Sequence, residues 1–245
     1  MRYKCICSYD GSLFHGFQSQ RNQRTIQDVI ENALFLSINE RITIYSSGRT
    51  DAGVHALAQV FHFDSVINIS SYNMKKAINS RLPKDVYINS VETVDNKFHA
   101  RFNAVSKEYH YFIDFGNYNP LLGNYRYFCN YRKVDNNAFL DALQLFVGKH
   151  DFRYFSRSKK NDNTVREIFH ISSIKEQTLI KIKIVGEGFL HNMVRMIIAA
   201  ALEVARGKIT LEDIKSSLDK DQPLKAPKKL PANGLYLVSV NYSNI

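Results

Sequence analysis

Asp51 is the residue in this chain best placed to do chemistry. It stands in the string SSGRTDAGVHA at 46–56, bounded by Gly48 and Gly53 and flanked by Arg49 and His55. The glycines permit backbone angles that other residues avoid, so a carboxylate there can be aimed from the mouth of a strand rather than left in bulk water. Such an acid can serve as a nucleophile or as a general base. The same string also fits an ordinary Asx-type turn. A third arrangement, Asp51 with His55, His62 and Asp64, would suit a metal-dependent phosphoester hydrolase.

A carboxylate in a dry pocket keeps its charge only beside a cation, since burial alone neutralises it. Arg195 is the candidate partner. It interrupts the apolar stretch GFLHNMVRMIIAA, where an unpaired guanidinium would be costly. The alternatives are that Arg195 snorkels to the surface or pairs with Glu187 or Glu203. On 98–113, FHARFNAVSKEYHYFI, Arg101 and Lys107 accompany Tyr109 and Tyr111 on one strand face. Either tyrosine can stack on an exposed base, and either can equally be core.

Other chemistries are poorly served. His55, His62, His99 and His110 are scattered among strands, which favours structural or RNA-contact roles over metal ligation. Ser156, Ser158 and Lys159 make no nucleophile motif, and neither GxGxxG nor GxxxxGK[ST] occurs, so a nucleotide-driven reaction is not expected. Cys5 and Cys7 share one face of a predicted strand and, with Cys129, are expected to be buried free thiols; no zinc site is expected.

The elements that must position these groups are legible in pattern. The 245 residues suffice for one large or two small units, and the chain carries 33 Lys and Arg against 23 Asp and Glu, a formal charge of +10. That surplus, interleaved with 14 Tyr and 16 Phe, suits RNA. The absence of Trp and of a long apolar run argues against a membrane, and the first residues lack a signal peptide's apolar block, so a cytoplasmic location is expected. Strands are predicted at 3–9, 55–64 and 85–94, with helices opening at Thr25, where Asp28 makes a capping-box-like pair, and at Ser71. The second half repeats the rhythm: a strand at 107–115, a helix at 137–147 closed by Gly148, and strands at 165–174 and 179–185. It continues with a long helix at 190–206 ending at Gly207, a short helix capped by Thr210 and Asp213, and a last strand at 235–242. The expected fold is α+β: two ferredoxin-like or RRM-like units, 1–103 and 104–245, with antiparallel sheets joined into one extended sheet. Helices would cover one side and leave an open basic cleft on the other.

The strings SYDGSLFHGFQSQ, TIQ, SSGRTDAGVHALAQVFHF, FHARFNAVSKEYHYF, HDF, GFLHNMVRMII and LPANGLYL occur in order along the whole chain. Together they resemble the TruA family of tRNA pseudouridine synthases, and the GRTDAGVHA block is highly specific. The resemblance implies that Asp51 is the catalytic aspartate, that Tyr109 stacks on the target uracil, and that Arg195 ion-pairs with the aspartate. It implies that Arg49 enters the space left by a flipped-out nucleotide. Tyr9, Asp10 and Gly11, with the loop from Gln18 to Arg24, would belong to an RNA-binding cleft, and His55, Arg101 and Lys107 are further candidate substrate contacts. It implies action on uridines 38 to 40 of tRNA, by a homodimer without cofactor; the residue spacing itself suggests no metal site. The chain departs from the family pattern at Phe17, Ala58, Ala199 and Ala205, none of them in the catalytic set. Three rival readings remain: a non-catalytic RNA-binding protein of the same fold, a synthase acting on another RNA such as ribosomal RNA, and the metal-dependent hydrolase.

Overall fold

The computed structural model describes residues 1–131, 133–157, 163–219, 222–224 and 229–243. Ser158 and Lys159 lie outside the described residues. The chain divides into two compact units, Met1–Val105 with Tyr236–Ile245, and Ser106–Leu235.

The first unit runs β1 (Arg2–Tyr9), α1 (Ile26–Ile38), β2 (Tyr45–Ser46), β3 (His55–Asp64), α2 (Ser71–Asn79) and β4 (Val86–Val94). β1 is central and antiparallel to both β3 and β4. Its alternation is strict: Tyr3, Cys5, Cys7 and Tyr9 point into the core. Cys5 and Cys7 are free, and burial raises both thiols well above their ordinary range. α1 begins where the Thr25 side chain accepts the Asp28 amide, a cap contributing about 1 kcal/mol. From there Ile26, Ile30, Ala33 and Leu34 form its buried stripe. α1 and α2 pack on each other, and α2 on β4.

The second unit contains β5 (Ala104–Asp114), β6 (Tyr127–Phe128), α3 (Asn136–Gln144), β7 (Gly148–Asp151), β8 (Val165–Glu176), β9 (Leu179–Gly186), α4 (Met193–Ala205) and α5 (Leu211–Asp219). Its sheet order is β5-β9-β8-β7, antiparallel throughout, with β6 parallel on β5. α4 is buried at nearly every position and packs against α3. Both units are thus α+β with largely antiparallel sheets and helices on one face, the class the sequence predicts.

The last strand, β10 (Leu235–Tyr242), corrects the division read from sequence, which assigned 104–245 to the second unit. Tyr236 and Leu237 pair in parallel with His55 and Ala56 of β3, and the Tyr242 hydroxyl donates to the Ala100 carbonyl at 2.8 Å. Those contacts place residues 236–245 with the first unit. Among the described residues, no helix is long and apolar enough to cross a membrane.

Candidate active site

Asp51 lies half-buried in the loop between β2 and β3, and the backbone around it is tied down on several sides. The Tyr9 hydroxyl, at the end of β1, is 2.7 Å from Thr50 Oγ1 in a buried hydrogen bond. The Phe17 amide donates to the Thr50 carbonyl at 3.1 Å, and the Gly53 amide to the Phe14 carbonyl at 3.2 Å. The Val54 amide closes the turn onto the Asp51 carbonyl at 3.2 Å, with Gly53 at φ +78°. Glycine is required there because the left-handed conformation strains other residues. Upstream, the fully buried Gln59 side chain accepts from the Ser47 hydroxyl at 2.7 Å and donates to the Gly48 carbonyl at 2.9 Å.

Tyr9, Asp10, Gly11 and His55 converge on this turn. His55 is 2% exposed. Its Nδ1 accepts the Gly11 amide at 3.1 Å, lies 3.2 Å from Asp10 Oδ1, and its ring stacks on Tyr236 with centroids 4.6 Å apart. An imidazole whose Nδ1 accepts from an amide is in a fixed orientation. His55 therefore braces the Asp10–Gly11 corner. Asp10 in turn accepts the Ser12 amide at 2.9 Å.

The other predicted first-unit residues are more open. Arg49, Gln18 and Arg101 are exposed, the last with its guanidinium 5.9 Å from the Phe102 ring centre. Arg24, in the basic loop, forks onto Asp85 at 2.8 and 2.9 Å and lies over the Phe14 ring at 3.9 Å, a structural use of a predicted RNA contact.

Two second-unit ambiguities are resolved by burial. Tyr111 is fully buried and its hydroxyl donates to the Pro231 carbonyl at 2.8 Å, so it is core. Tyr109 is 9% exposed, sits opposite Ile184 in the ladder, and meets Phe189 edge-to-face at 5.1 Å. Lys107, two residues earlier, is half-buried opposite Gly186. Arg195 does not snorkel: it is 6% exposed on α4. Its Nε donates to the Leu230 carbonyl at 2.7 Å and its Nη1 to Asn192 Oδ1 at 3.1 Å. Glu203 pairs instead with Arg206 at 2.7 Å, and Glu187 accepts the Glu167 amide at 3.2 Å. Asn192 Nδ2 is buried without a partner among the described residues, an arrangement that costs about 1–3 kcal/mol.

The hydrolase arrangement is not assembled. Asp64 forks onto Arg2 at 2.8 and 2.7 Å, His62 Nδ1 accepts the Ala100 amide at 3.2 Å, and His55 is engaged as above. Among the described residues, no group of three or more His, Cys, Asp or Glu is placed to hold a metal ion. His62 has a different consequence. Burial, with His99 and Arg2 nearby, lowers it from 6.5 to about 4. Between those values the unfolded chain binds a proton that the folded chain refuses, so stability present above pH 6.5 falls as the pH drops toward 4. The loss is on the order of 3 kcal/mol. Thermal midpoints at neutral pH and near about pH 4.5 should differ less in His62→Asn than in the native protein; an equal difference would rule out His62 as the source.

Sequence reasoning missed Thr50, Gln59 and Asn192. Gln59 left a signal, a polar residue in the apolar alternation of β3, whereas Thr50 and Asn192 act through distant partners that no local pattern reveals.

The geometry describes an α+β protein that holds one carboxylate on a braced turn and keeps one arginine inside an apolar helix. A family model described as tRNA pseudouridine synthase matches residues 6–103 and 142–243. The chain is 40% identical to the tRNA pseudouridine synthase A of Anoxybacillus flavithermus over 99% of both chains. It is 39% identical to that of Bacillus subtilis over 100% of both, and 42% identical to that of Oceanobacillus iheyensis over 98% of this chain and 96% of the relative. The chain belongs to the tRNA pseudouridine synthase family.

Proposed function

We propose that the protein isomerises uridine to pseudouridine in the anticodon arm of tRNA, at positions 38, 39 and 40, as a cytoplasmic homodimer that needs no cofactor. The reaction breaks the bond between uracil N1 and ribose C1′ and forms a bond from C5 to the same carbon, with the C5 hydrogen released and N1 protonated. No atom is gained or lost, which is why side chains alone suffice.

Asp51 supplies the ionised carboxylate that starts glycosidic cleavage. Arg195 favours that charged form and fixes its direction, and Tyr109 forms the aromatic wall that keeps the detached uracil in place; both roles are positional. Arg49 fills the stack vacated by the flipped nucleotide, offsetting part of an unstacking cost of a few kcal/mol. Tyr9, Asp10, Gly11, Gln18, Arg101 and Lys107 contribute to RNA binding, while His55 acts through the corner it braces. The +10 charge supplies salt-dependent phosphate affinity, and the folded shape of the anticodon arm selects the RNA.

The observation that carries the reading is the Asp51 turn, held by the Tyr9–Thr50, Phe17–Thr50, Phe14–Gly53 and Gln59–Gly48 hydrogen bonds within a family of pseudouridine synthases. Its test uses tRNA tritiated at uracil C5. The protein is expected to release tritium to water with multiple turnovers. Binding without release would identify an RNA-binding protein of this fold instead.

A further inference from the structure

Asn192 combines two unusual features. At the head of α4 it adopts φ +62° and ψ 4°, the left-handed region, and its side chain makes no capping hydrogen bond. It is also 5% exposed with its Nδ2 unpartnered among the described residues. A capping side chain would ordinarily satisfy an amide of the first helical turn. Here the side-chain oxygen is directed elsewhere, accepting Arg195 Nη1 at 3.1 Å. That contact also fixes the amide's orientation, because exchanging its oxygen and nitrogen would oppose two donors.

Two of the contacts that hold the guanidinium are thus Asn192 at Nη1 and the Leu230 carbonyl at Nε. Both acceptors are neutral. An aspartate at 192 could make the same contact but would neutralise the arginine within its own helix. A neutral amide orients the group without itself adding a counter-charge. Strained backbone and unmet buried polar groups collect where function requires them.

We infer that Asn192 is a positioning residue for catalysis, which orients Arg195 without consuming its charge. This rests on the role proposed above for Arg195. Glycine is at home in the left-handed region and carries no amide, so backbone relief offsets the lost hydrogen bond to Arg195 and Asn192→Gly should unfold within about 4 °C of the native protein. Its kcat on tRNA should fall about 100-fold, the scale of a misplaced catalytic group, with KM unchanged. Asn192→Asp, nearly isosteric, keeps the measurement possible should the glycine variant fold poorly, and it should lose more kcat than Asn192→Gly because its carboxylate competes for the guanidinium.

Steady-state kinetics and thermal unfolding of both variants, beside Arg195→Ala, decide the matter. An inactive Arg195→Ala together with native kcat in Asn192→Gly or Asn192→Asp would overturn this inference alone. So would a lower unfolding temperature with native kcat per folded molecule, the mark of a purely structural residue. Native kcat in Arg195→Ala would instead remove the role of Arg195, and this inference with it.

Discussion

Asp51→Asn is expected to lower turnover on tRNA by about 10⁴-fold, the upper range for removal of a positioned acid or base, while leaving tRNA affinity within about twofold of native. The two quantities separate because different parts of the molecule supply them. In the proposed function, affinity comes from many phosphate contacts by a chain of net charge +10, to which one buried-edge carboxylate would contribute little. Chemistry depends on that one negative charge, which an amide lacks although it has the same shape. The turn should survive the change, since the substitution retains the hydrogen bonds that brace it through Thr50, Gly53, Gly48 and the Asp51 backbone carbonyl. Single-turnover kinetics with labelled tRNA and a salt titration of binding measure the two effects independently. Weakened binding in proportion to lost turnover would mean that Asp51 holds RNA and does not act on it.

Gly11→Ala is the second large effect, and it arises from space alone. A Cβ at Gly11 would lie 2.0 Å from the Val54 carbonyl oxygen and 2.5 Å from its carbon. Both are backbone atoms of the Asp51 turn, so no side-chain rotation relieves the clash. The Gly11 amide is simultaneously held to His55, which resists movement from the other side. Overpacking of this kind costs about 1–3 kcal/mol, which for a chain of this size lowers the unfolding midpoint by about 3–10 °C. Whatever shifts to admit the methyl also shifts Asp51, and turnover of the folded fraction should drop about 100-fold. Gly188→Ala is the matched control, because nothing lies within 4 Å of a Cβ there. Native stability and rate in Gly11→Ala would show that the turn is looser than its contacts imply.

Much of this was readable from residue types. Thr25 with Asp28 marks the start of α1, β3 and β10 have the predicted ends, and paired burial of Cys5 and Cys7 follows from a period of two. These are local signals. Two-residue strands such as β2 and β6 contain too few positions for any periodicity. The long helix begins at Met193 and not near 190, because Asn192 takes a left-handed conformation that hydropathy does not encode. The helix predicted at 137–147 is α3, which runs from Asn136 to Gln144 with Asp135 as its cap, while Gly148, at φ +108°, opens β7 instead of closing the helix. Least legible was the parallel pairing of β10 with β3, which joins residues some 180 positions apart and leaves no trace in either segment.

The candidate site divides in the same way. Asp51 stands out because glycines bracket it, and Arg195 because a cation in an apolar helix demands an explanation. What braces them, Thr50 against Tyr9, Gln59 against Gly48 and Asn192 against Arg195, depends on neighbours brought together by folding. Tyr109 and Tyr111 illustrate the limit: alternation alone makes them equivalent, and the hydrogen bond from Tyr111 to the Pro231 carbonyl depends on a segment 120 residues away.

The most direct measurement is a pseudouridine map of total RNA from cells lacking this protein, complemented either with the native chain or with Asp51→Asn. The native chain should restore pseudouridine at tRNA positions 38 to 40 and nowhere else, and the variant should restore none. Restoration by the variant would contradict the assignment of chemistry to Asp51, and restoration confined to another RNA would contradict the substrate.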